Sequence, residues 1–156
     1  RSLDANAYFW VLVTKIGQVE HLSSQEIHDK ILSENIHFVM RDEAVDWLVM
    51  DCEPNKYGLV KIGRDYYLDS GKEVTLAKDN GSFYMANGKP KTSKILWHIK
   101  GTSQMDSKEM SHIIDATINE AKDLGIETLT PNEIERMKAE WDHHRETKEQ
   151  AANESL

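Results

Sequence analysis

Cysteine is nearly absent from this chain of 156 residues: Cys52 stands alone. One thiol excludes an intrachain disulfide framework and any cysteine-rich zinc site. Apolar runs are short, and none approaches the ~18 residues that a membrane helix needs. No basic–apolar–small pattern of a signal peptide opens the chain. Basic residues are the minority charge, 19 Lys and Arg against 27 Asp and Glu, for a net of −8. That balance excludes a uniformly basic nucleic-acid coat and argues against a polybasic membrane anchor. Neither the Walker A pattern nor the dinucleotide-binding glycine fingerprint occurs.

The seven histidines include no His-Glu-x-x-His pair of the kind that holds zinc on a helix. His143 and His144 are adjacent, so on a helix they project about 100° apart and do not chelate one ion together. A metal-dependent nuclease can scatter its carboxylates, and Glu109, Asp115 and Glu120 are candidates for them. Their spacings of six and five residues do not line up on one helix face. The residues thus predict no metal site, no cofactor and no catalytic centre, with a nuclease as the weaker alternative.

What is present suits a folded domain. Apolar residues make up 39% and charged residues 29%, and a chain this long buries about two-thirds of its unfolded surface without staples. Helical patterning dominates both ends. Residues 2–20 read as a helix, with Ser2 as cap and Asp4 near the positive end of its dipole. Leu3, Ala7, Trp10, Thr14 and Gly17 form one stripe, which Phe9, Leu12, Val13 and Ile16 widen into a sector meant for a core or another chain. Ser23 and Glu26 have capping-box spacing before a second helix. Residues 36–40 read as extended, and residues 42–50 as a third helix.

The texture changes after Cys52. Short aromatic and β-branched runs at residues 66–68, 74–76, 83–85 and 95–99 are separated by Ser70-Gly71, Asn80-Gly81 and Asn87-Gly88. Asn-Gly between apolar runs is a strong hairpin signal, since both turn positions tolerate positive φ. Helix returns after Lys100. Asp106 or Ser107 begins a long helix with the stripe Met110, Ile113, Ile114, Thr117, Ile118, Ala121 and Leu124, and Gly125 follows as its left-handed exit. Thr130, Pro131 and Glu133 announce a last helix through Trp141. The expected fold is α+β, mainly helical, with long terminal helices around a central antiparallel β-meander. It reads as one domain: helical over 1–52, a basic meander over 53–100, two helices over 101–141 and a polar tail over 142–156.

The charge is unevenly placed. Between Lys56 and Lys100 stand nine basic and four acidic residues, a local +5, which leaves −13 for the remainder. Two readings are open: lysines that solvate exposed strands, or a basic lobe facing an anionic ligand. Tyr84 and Trp97 with Lys89, Lys91 and Lys94 have the aromatic-plus-basic composition of a single-strand groove. They fit equally well the inner face of a meander with lysines on its rim.

Two stretches carry a family resemblance. The opening RSLDANAYFWVLVTKI and the segment GTSQMDSKEM at Gly101 to Met110 resemble, in order and context, two motifs of the NinB (lambdoid-phage Orf-like) family of phage recombination proteins. The Gly125-Ile126 step and the closing Glu140-Trp141 fit as well. The resemblance covers about half the chain, at its two ends. It implies a recombination mediator and not an enzyme: a cytoplasmic protein of the bacterial host cell that forms homodimers, binds single-stranded DNA and helps load a recombinase onto strands coated by single-stranded-DNA-binding protein. Arg1, Ser2, Leu3, Asp4 and Asn6 stand in the first motif, and Ser103, Met105 and Glu109 in the second. With the basic residues and Trp97 of the central window added, the DNA-contacting candidates are Arg1, Asn6, Lys89, Lys91, Lys94, Trp97, Lys100, Thr102 and Ser103. Arg1 and Asn6 would hold phosphate at a helix start, or Asp4 would cap that helix and pair with Arg1. Thr102 and Ser103 would donate to phosphate or cap the next helix. A protein-interaction module docking a replication or recombination partner is the alternative that the net acidity favours.

Overall fold

The computed structural model describes residues 4–39, 47–50, 52–75, 85–86, 89–90 and 92–141. They form two compact units. One holds the chain up to Val39 together with the chain from Thr102 onward, and the other lies between, from Met40 to Gly101. The fold is α+β and mainly helical, as the patterning predicts.

In the helical unit, α1 spans Ala5–Glu20, α2 Ser24–Glu34, α3 Ile36–Val39 and α4 Ser107–Asp123. A last helix, α5, is described over 131–141. Asp4 caps α1 and accepts from the backbone N–H groups of Asn6 and Ala7; the proposed cap Ser2 lies outside the described residues. The core face of α1 is Tyr8, Phe9, Leu12, Val13 and Ile16. It packs against Ile27, Ile31 and Leu32 of α2 and the buried stripe of α4. Of the stripe expected through Ala7, Trp10, Thr14 and Gly17, Ala7 and Thr14 are exposed, Trp10 is half-buried and Gly17 is buried. The sector expected to widen it, Phe9, Leu12, Val13 and Ile16, takes the core because it buries more apolar area.

Two local expectations are corrected. Residues 36–39 are helical, not extended. Asn35 closes α2, its side chain donating to the Ile31 carbonyl and its N–H to the Leu32 carbonyl, and the chain resumes helix directly. Residues 47–50 are a strand, β1 (Trp47–Met50), where a helix was expected, so the first 52 residues are not all helical.

The other strands are β2 (Leu59–Ile62), β3 (Asp65–Thr75), β4 (Met85–Ala86), β5 (Lys89–Pro90) and β6 (Thr92–Ile99). The main sheet is antiparallel in the order β1-β6-β3-β2, and β4 pairs β5 apart from it. Three strands, β2, β3 and β6, run as the expected meander, and β1 adds beside β6. This is the strand order of a Greek key. Ser70-Gly71 is not a turn between strands. It lies inside β3 as a bulge, where the register with β6 shifts between Asp69 and Glu73 and Gly71 takes φ 80°. The β4–β5 pair flanks Asn87-Gly88 as a hairpin there requires. The turns expected at Asn80-Gly81, and the tail 142–156, lie outside the described residues.

Candidate nucleic-acid interface

The two motif-bearing stretches meet in the helical unit. Asn6, in the first turn of α1, accepts a hydrogen bond from the Thr102 hydroxyl across 96 positions of sequence. Thr102 is 4% exposed and opens a 3-10 turn over Thr102–Gln104. Met105 follows, fully buried, and its carbonyl accepts from the Trp141 indole N–H at 3.0 Å. Asp106 and Glu109 then close a reciprocal capping box on α4. Asp4 takes the free N–H groups at the start of α1 that a phosphate would otherwise meet. Asn6 and Thr102 thus hold each other, Ser103 beside them is exposed, and Arg1 lies outside the described residues.

The strand candidates divide differently. Directly paired residues of an antiparallel sheet share a face. Trp97 pairs Leu68, which pairs the buried Leu59. The buried Ile99 and Tyr66 pair each other on that face, and Tyr66 pairs Lys61. Trp97 therefore stands on the face of Leu59, Tyr66, Leu68 and Ile99. Lys94 alternates to the opposite face, with Asp69, Glu73, Tyr67, His98 and the buried Leu96. Its ammonium lies 3.4 Å from Glu73 and 3.7 Å from Asp69. The Asp69 charge first, then the Glu73 hydrogen bond, raise the Lys94 pKa above the usual lysine value. The sheet separates Lys94 from Trp97 and supplies its countercharges. Lys100 follows the end of β6, half-buried. Lys89 is placed only by its backbone, opposite Ala86, and Lys91 and Tyr84 lie outside the described residues.

Sequence reasoning missed two exposed cations, Lys61 and Arg64. Ile62 pairs Asp65, so Gly63 and Arg64 make a two-residue hairpin turn, and Gly63 supplies positive φ, 63°, at its first position. The signal was present as Gly-x between two apolar runs. The Lys61 ammonium lies 5.8 Å from the centre of the Tyr66 ring.

The acids weighed for nuclease chemistry are each tied into a different contact. Glu109 belongs to the α4 capping box, Asp115 pairs Lys138 at 2.7 Å and Glu120 pairs Lys30 at 2.7 Å. Among the described residues, no three His, Cys, Asp or Glu side chains converge as metal ligands. Buried His28 bonds Asp29 at 2.7 Å and lies flat against Trp10, with ring centres 4.9 Å apart. Above this stack, Ala7, Trp10, Val11, Thr14, Lys15 and Gln18 line an open groove of about 560 Å³ along α1. No helix among the described residues is long and apolar enough to cross a membrane.

Compared with protein-family models, curated proteins and solved structures, the chain matches none.

Proposed function

We propose that this chain is a NinB-like mediator of phage or prophage recombination. On this reading it binds single-stranded DNA and assists the loading of a recombinase onto strands coated by single-stranded-DNA-binding protein. It works as a homodimer in the cytoplasm of the bacterial host and carries no cofactor and no catalytic residue. One observation carries the reading: the two stretches that bear the resemblance, nearly a hundred residues apart, are bonded to each other through Asn6 and Thr102. Residues that serve one structural purpose together are expected to appear together as motifs.

The test is fluorescence anisotropy of a labelled oligonucleotide, titrated with protein at rising salt. Binding should weaken steeply as salt rises, because bound phosphates release counterions. Absence of binding at low salt would overturn the DNA-binding part of the proposal. Incubation of the same oligonucleotide with magnesium or manganese should leave it uncut; cleavage would favour the nuclease alternative.

A second reading, a protein-interaction module, is favoured by the groove on α1 and by its exposed Val11 and Val19, 40% and 49% accessible. Val11→Glu in the groove should then abolish partner capture or dimerisation, read by light scattering, while leaving oligonucleotide binding unchanged.

A further inference from the structure

The side of α1 turned away from the core carries a pattern of its own. Asp4, Ala7, Val11, Thr14 and Gln18 are all exposed. They follow one another at three, four, three and four residues, the spacing of a seam between two paired helices. Ala7, Val11, Thr14 and Gln18 also line the groove, whose one charged side chain is Lys15. Trp10 borders it and is already fixed, stacked on His28 and edge-on to Phe9 with ring centres 5.5 Å apart. The Thr14 hydroxyl donates to the Trp10 carbonyl at 2.8 Å, so covering it strands no donor. Three charged residues belong to the helix and its cap: Asp4, Lys15 and Glu20. Glu20 lies nine residues from Val11, on the opposite side of the helix, where its charge acts on Lys30 of α2. The seam face thus has an apolar middle, an anion at its start and a cation near its end.

We propose that this face docks a second copy of itself, with the two α1 helices antiparallel and Ala7 of each copy opposite Val11 of the other. The inference rests on the homodimer in the reading above and names its interface. Charge decides both occupant and orientation, because the face carries its own complement. In this register Lys15 of one copy stands within one residue, about 1.5 Å of rise, of Asp4 of the other, and the twofold axis repeats the contact. A parallel pair would instead set Asp4 on Asp4 and Lys15 on Lys15. Asp4 caps its own helix through Oδ1, and a carboxylate has about four acceptor sites, so a lysine adds to the cap without displacing it. In the middle, the small Ala7 leaves room for the larger Val11 at both crossings. One helix pair is small beside a standard interface of ~1,600 Å², so the dimer dissociates on dilution.

Light scattering of the full chain, from micromolar to millimolar protein, should show a monomer–dimer equilibrium. Val11→Glu, which sets two carboxylates in the apolar middle, should raise the dissociation constant at least ~100-fold and leave the circular dichroism unchanged. Lys15→Glu, which sets a like charge beside Asp4 at both ends, should raise it about 10-fold. Cross-linking in chains that carry Cys52→Ser is the second measurement. A short bis-maleimide should join Ala7→Cys to Val11→Cys in a mixture of the two. It should not join Lys15→Cys to itself, because those thiols lie about 18 Å apart along the helix axis. A wild-type chain that stays monomeric throughout leaves the groove to a different protein, and overturns the homodimer reading and this interface together. A dimer that Val11→Glu does not weaken and that residues 7 and 11 do not link overturns the interface alone. Self-linking of Lys15→Cys overturns the antiparallel order.

Discussion

Gly17 sits where α1 and the chain leading into α2 come closest. A Cβ there would lie 2.5 Å from the Leu22 carbonyl oxygen, and Leu22 itself donates to the Gly17 carbonyl. Alanine would improve helix propensity by about 1 kcal/mol. A clash against backbone, which has no rotamer to retreat into, costs about 1–3 kcal/mol. The clash wins, and Gly17→Ala should lower the urea midpoint with an unchanged m-value. The Lys30–Glu120 pair acts at the same scale. The hydrogen bond from Lys30 to Glu120 raises the lysine pKa. A folded pKa above the unfolded value gives stability that is fully present below the ordinary lysine pKa and is lost as pH rises through the folded one. Buried Tyr8, whose pKa is raised by its burial, adds a loss of the same sign. Urea denaturation between pH 8 and 11 should therefore show stability falling on the alkaline side, and Lys30→Met should flatten that fall without abolishing it.

Among elements, α4 was the most legible in the sequence, because its determinants are local. Asp106 and Glu109 sit three residues apart, the apolar stripe repeats at helical spacing, and Gly125 closes the helix with φ 75°. Asp106→Ala should remove one half of the capping box and cost about 1 kcal/mol by thermal unfolding, with Asp106→Ser recovering most of it. At the start of α5, Glu133 accepts from the Thr130 hydroxyl and N–H, which holds its pKa below the usual carboxylate value. Its stabilising effect is present above the unfolded pKa and is lost as pH falls through the folded one; Glu133→Gln should weaken the acid dependence of unfolding. By contrast, β1 was illegible. Its four residues Trp47 to Met50 become a strand by pairing with β6, some fifty residues away, and no window around them contains that partner. The bulge in β3 was hidden for the same reason: Ser70-Gly71 carries a turn signal, and only the ladder with β6 turns it into an irregularity of one strand. The DNA-contacting candidates fared by the same rule. That Lys94 has carboxylates around it depends on register, as does the separation of Lys94 from Trp97.

For the molecule as a whole, the charge asymmetry seen in the sequence changes when it is counted by folded unit. From Met40 to Gly101 the chain has ten basic and nine acidic residues, a net of +1, and the other unit has nine and eighteen, a net of −9. The +5 window begins only at Lys56, and the acids before it belong to the same unit. The acidity of the whole chain therefore belongs to the helical unit, while the β unit taken by itself is close to neutral.

One consequence of the topology concerns assembly. The helical unit is made of two stretches of chain with the β unit interposed, so α1 and α4 must find each other across an excursion of 62 residues (101 − 40 + 1). Because Trp47 pairs Trp97, the sheet itself closes the loop between them, with paired backbones about 5 Å apart. A formed sheet therefore shortens the effective loop between the two helical stretches, and much of the entropy of closing it is met inside the insert. The insert behaves as an exchangeable cassette. Replacing residues 40–101 with a short Gly/Ser linker should yield a helical protein that still unfolds cooperatively, whereas Leu96→Asp, which disrupts the sheet in place, should slow refolding of the helices as well.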